Sequence, residues 1–130
     1  MCGCNKDKET EPFDPYILYK AAYWSSREYE QIDGEDIICR ISYYFEENGK
    51  YTYQYKRYSV DKNMGYSEKV YAESYKTGTY LVYANLIEFY PDDGDFFTAF
   101  WKYDEKSYKL TMDLSDGTTL ELSGLFMLNY

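Results

Sequence analysis

The sequence predicts an all-β fold of about eight antiparallel strands, joined as an up-and-down meander that closes into a small β-barrel and entered through one short helical turn. Three observations carry this expectation. Nineteen of the 130 residues are tyrosine, and many fall at alternate positions, as in Tyr51-Thr52-Tyr53-Gln54-Tyr55. A period of two sets those rings on one face of a strand. The dipeptides Asp33-Gly34, Asn48-Gly49, Asp93-Gly94 and Asp116-Gly117 each lie between apolar alternating runs, and such pairs supply the positive φ of tight hairpin turns. Short turns make consecutive strands antiparallel neighbours, and closure removes the edges that a tyrosine-rich sheet would offer to aggregation. An open sandwich is the alternative architecture.

The elements follow in order. Asp14-Pro15 is a capping residue followed by proline at a first helical position, so Tyr16-Ile17-Leu18-Tyr19 starts the domain as a helical turn. Strands are expected at about 22–31, 36–46, 50–60, 78–84, 86–91, 95–103, 107–114 and 118–127. Ile37, Cys39, Ile41, Tyr43 and Phe45 form one inward row, which places Cys39 in the core as a small hydrophobe. Tyr108, Leu110, Met112 and Leu114 share a face, and Leu120 and Leu122 continue it. Glu88 falls on the solvent phase of its strand. The stretch 61–77 fits neither period and reads as a strand, a short helix or a loop. As the longest irregular connection, it is a candidate gate over one open end of the barrel.

Length allows one domain, residues 14–130, after a polar tether over 1–13 that has no hydrophobic periodicity. Fourteen Lys and Arg against 23 Asp and Glu give a formal charge of −9, which repels polyphosphate and argues against nucleic acid as a partner. No apolar run is long enough to cross a bilayer as a helix. The chain has no histidine, which removes Ser-His-Asp and Cys-His catalysis. Asp92, Asp93 and Asp95 sit together in a turn, not across a cleft, and lack the spacing of a dedicated calcium loop. The chain is therefore expected to be no enzyme and to hold no metal or cofactor.

Gly3-Cys4, followed by the hydrophilic Asn5-Lys6-Asp7-Lys8-Glu9, resembles the cleavage and acylation site of bacterial lipoproteins. The same linker resembles the charged segment that directs lipoproteins to the cell surface in the Bacteroides group. The resemblance implies lipidation at Cys4, with Cys2 as the other candidate, and attachment to the outer membrane of the cell envelope, facing the periplasm or the outside. The domain in turn resembles the small lipocalin-like domains of such lipoproteins over about residues 16–128. Its motifs are Leu18-Tyr19-Lys20-Ala21-Ala22-Tyr23-Trp24, Tyr44-Phe45-Glu46-Glu47-Asn48-Gly49-Lys50-Tyr51, Gly78-Thr79-Tyr80-Leu81-Val82 with Ile87, and Leu110-Thr111-Met112 with Gly117-Thr118-Thr119-Leu120. Ala22 stands where that family usually has glycine. The resemblance implies a calyx, an apolar ligand and a Trp24 that plugs the closed end.

The expected function is a monomeric binding module that takes a small apolar or aromatic ligand in the barrel, with tyrosine hydroxyls orienting it. Tyr43, Tyr53, Tyr55, Tyr80, Phe97 and Trp101 are the candidate lining residues. Bulky Phe97, Trp101 and Tyr103 share a face with Ala99, so the expected cavity is modest. The alternative is a filled barrel that contacts glycan or protein at the cell surface through exposed tyrosines such as Tyr58, Tyr66, Tyr71 and Tyr75.

Overall fold

A computed structural model of the chain describes residues 13–61 and 67–126. The elements are α1 (Tyr16–Lys20), β1 (Ala21–Ile32), β2 (Glu35–Phe45), β3 (Lys50–Asp61), β4 (Ser67–Tyr83), β5 (Leu86–Pro91), β6 (Phe97–Asp104), β7 (Lys109–Leu114) and β8 (Thr119–Phe126). Each strand pairs antiparallel with the next, and β8 returns to β1, so the meander is a closed barrel.

Local chemistry sets the turns. Asp33 and Gly34 both take positive φ (53° and 79°), the two-residue geometry whose twist matches the flanking strands. Gly49, Gly94 and Gly117 are also at positive φ, so all four Asx-Gly pairs lie in connections between strands. At the helix, Asp14 Oδ1 accepts a hydrogen bond from the Tyr16 amide at 3.0 Å, and Pro15 stands at the N-cap. Tyr108, read as the start of a strand, instead sits at φ 58° in the β6–β7 turn and is exposed.

The largest departure concerns 61–77. Residues 67–77 are the first part of β4, a strand of 17 residues paired with β3 as far as Ser67 opposite Asp61. They do not fold over the mouth as a gate. The register shifts where Arg57 pairs with Ala72 and Tyr58 with Val70, which leaves Tyr71 as an extra residue. Such a bulge changes which alternate positions face inward, and that is why no single period fits this run.

The core follows the alternating rows. Tyr43, Phe45, Tyr51, Phe89, Ala99, Trp101, Leu110, Met112 and Leu122 pack inside the barrel. At the end where β1 starts, α1 adds Ile17 and Leu18 to this core. There Trp24 is fully buried, donates its indole N–H to the Leu18 carbonyl at 2.8 Å, and meets Tyr103 and Phe126 edge-on. An added Cβ on Gly124 would lie 2.7 Å from the Trp24 ring, so glycine there gives the indole its space.

Strand length makes the barrel lopsided. β1 to β4 have 12, 11, 12 and 17 residues, whereas β5 to β8 have 6, 8, 6 and 8. At about 3.3 Å per residue the tall wall rises roughly twice as far as the short one. β1 and β8 pair only between Ala21–Ser25 and Ser123–Phe126. Beyond Ser25 the two strands part, and a cleft opens between the walls.

Candidate functional site

The open end carries the β1–β2 turn, the β5–β6 connection and the β7–β8 turn, opposite the end closed by α1. Inside its mouth lies a cavity of about 440 Å³. Tyr43, Tyr53, Phe97, Leu114 and Leu120 form its apolar lining, and Lys76 and Asp116 stand among its polar residues. The register explains this convergence. Tyr43 lies opposite Tyr53, and Tyr53 opposite Lys76, on inward phases of β2, β3 and β4. Phe97 begins β6, and Leu114 and Leu120 flank the β7–β8 turn.

The floor of this cavity is aromatic and packed. Phe97 stacks on Phe89 with ring centroids 4.6 Å apart, and Tyr43 meets Tyr53 at 5.1 Å and Phe89 at 6.0 Å. Burial raises the Tyr43 phenol well above its ordinary value, with the neighbouring Tyr53 next in effect. Burial also pushes Tyr51 up to about 12, helped by Asp92, and raises Tyr53. These hydroxyls stay protonated donors at neutral pH. At the rim, the Thr118 amide donates to Asp116 Oδ1 at 2.9 Å, and this bond holds the carboxyl below its usual range.

A second, open cleft of about 890 Å³ occupies the β1–β8 split and shares Ile41 and Leu120 with the mouth. Cys39, Tyr55, Ser26 and Glu28 line it. Cys39 takes the inward phase expected of it, but it stands above the packed core and is only half-buried, its thiol 3.7 Å from Glu30 Oε1. Burial raises the Tyr55 phenol, followed in effect by Cys39. Arg57 lies opposite Cys39, its guanidinium 3.6 Å from Glu30, and its Nε is buried without a partner among the described residues.

The six residues read from the sequence are thus divided. Tyr43, Tyr53 and Phe97 meet at the mouth, and Tyr55 lines the neighbouring cleft. Tyr80 and Trp101 are buried in the core at the other end of the barrel. The Tyr80 hydroxyl donates to the Glu46 carbonyl at 2.7 Å, the Trp101 indole N–H donates to the Ala84 carbonyl at 2.9 Å, and Phe13 packs edge-on against Trp101. Both polar atoms have a protein partner, and their rings brace closed-end turns.

Sequence reasoning passed over Lys76, hidden by the β4 bulge, and Asp116, read only as a turn residue. Of the tyrosines considered for surface contacts, Tyr71 and Tyr75 are exposed and Tyr58 is buried. Tyr66 and the lipidation candidates Cys2 and Cys4 lie outside the described residues.

Fold and site together define a closed eight-stranded meander barrel with a filled interior and a shallow aromatic mouth. No family model matches the sequence, and a search of curated proteins gives no significant match.

Proposed function

We propose that the protein is a binding module that takes a small ligand with an aromatic or apolar body in the barrel mouth. The observation that carries this reading is the cavity of about 440 Å³ bounded by Tyr43, Tyr53, Phe97 and Leu120, within the size range of small-molecule sites. The filled core below sets its depth: the ligand rests on the Phe89–Phe97 stack and does not enter a deep calyx. Its apolar body covers ring faces and leucines, and a polar group reaches Lys76, Asp116 or a tyrosine hydroxyl at the rim.

The test is a fluorescence titration of the full chain with the neutral probe N-phenyl-1-naphthylamine. Saturable one-to-one binding is expected. It should weaken about tenfold or more in Leu120→Glu and in Leu114→Glu, because each sets an unpaired charge against the probe. Absence of saturable binding, or binding that both folded variants retain, would overturn the proposal.

A further inference from the structure

The outer face of the tall wall carries a charge pattern that works against the sheet. Arg27 on β1 lies directly opposite Arg40 on β2, and Arg40 directly opposite Lys56 on β3. Three cations thus cross adjacent strands in a chain of net charge −9. Like charges directly opposite one another destabilise a sheet, and a departure of this kind from local consistency is expected at functional sites. Lys56 has its compensation: its ammonium is 2.6 Å from Glu68 and lies over the Tyr58 ring at 4.8 Å. Arg40 faces the same ring, 6.0 Å away. Among the described residues, neither Arg27 nor Arg40 forms an ion pair.

The neighbouring positions are equally specific. One step toward the closed end, Ser25 lies opposite Ser42, and Ser42 opposite Gln54. Beyond them Tyr23 and Tyr44 sit side by side, ring centroids 5.8 Å apart. Together these residues line a shallow groove of about 200 Å³ with Arg27 and Arg40 at its charged part. Ser42 is buried within it, while the Tyr44 ring is 44% exposed.

Each part selects a different feature of one ligand. Two guanidinium forks suit a carboxylate or sulfate, which would remove the Arg27–Arg40 repulsion. Two hydroxyls and a primary amide suit a polyol. The exposed face of Tyr44, with half-buried Tyr23 beside it, suits the C–H surface of a sugar ring, apolar on one side and wet at the edge. A free inorganic anion would leave the tyrosines and Gln54 unused, and an extended polyanion would meet the repulsion of the whole molecule. We propose that this groove binds an acidic saccharide, one carboxylated or sulfated sugar unit, at a site independent of the barrel mouth.

The test is calorimetric titration of the full chain, at low and at physiological salt, with a sulfated uronic-acid disaccharide, its neutral counterpart and sodium sulfate. The acidic disaccharide should bind saturably, weaken as salt rises, and bind at least about tenfold more tightly than either control. The double variant Arg27→Gln/Arg40→Gln should lose that binding while its thermal midpoint stays equal or rises, because the like-charge pair is gone. Tyr44→Ala should weaken the disaccharide and leave sulfate unaffected. Equal affinity for sulfate and disaccharide would overturn the saccharide assignment. Absence of binding at millimolar disaccharide, or binding retained by the double variant, would overturn the site. A lower melting point on loss of the arginines would show instead that the pair serves the fold.

Discussion

Gly78 and Gly124 show how much of this barrel depends on single atoms. Gly78 is buried where β4 passes β5, and an added Cβ would fall 2.7 Å from the Pro91 Cα and 2.9 Å from the Tyr51 ring. Backbone cannot step aside as a side chain can. Gly78→Ala should therefore destabilise by about 3 kcal/mol or more, and Gly124→Ala, which presses on the Trp24 and Phe126 rings, by about 1–3 kcal/mol. Urea midpoints of the two variants check the order, and a smaller loss for Gly78→Ala would contradict it. At this scale the sequence was only partly informative. Tyr43 and Tyr53 could be placed on inward phases from alternation, yet nothing local separates them from Tyr80, which follows the same rule. Tyr80 is core because its hydroxyl finds the Glu46 carbonyl, a contact between residues 34 positions apart.

Among the elements, β4 is where the sequence and the structure part most. Alternation identified 78–84 as a strand, but the run before it lost its phase at Tyr71, the extra residue opposite the Arg57–Tyr58 step. Deleting Tyr71 should restore a continuous ladder, keep Ala72, Ser74 and Lys76 facing inward, and cost less than about 2 kcal/mol. Deleting Tyr75 should be worse, because it turns Glu73 into the barrel while Lys76 stays in place. Comparison of their denaturant midpoints decides this; equal losses would mean that the bulge does not set the phase. The hairpins were easier to read. An Asx-Gly pair specifies its turn within two residues, so no distant contact is needed.

For the molecule as a whole, the buried tyrosines predict how stability depends on alkaline pH. Tyr51 and Tyr80 are each raised from 10.0 to about 12, chiefly by burial, and Tyr43 is raised further. With folded values above the unfolded ones, the native state binds more protons once free tyrosines ionise. The contribution is fully present below pH 10.0 and is lost as pH rises through about 12. Denaturant midpoints should therefore hold up to the start of that window and then fall steeply, and ultraviolet titration should show a class of tyrosines that ionises only at higher pH in the native protein alone. A flat midpoint across the window would show that these rings are hydrated in the fold.

The sequence by itself determined the strand period, the hairpins and a barrel of about eight strands, because alternation and turn chemistry act over a few residues. It also implied a narrow interior, through the bulk of Phe97 and Trp101. Only the tertiary structure decided which aromatic rings fill the core and which line the mouth, since that depends on where strands of unequal length end around the barrel. It alone brought Arg27 opposite Arg40 and joined Lys76 to Tyr53, because register between strands is set by bulges and closure.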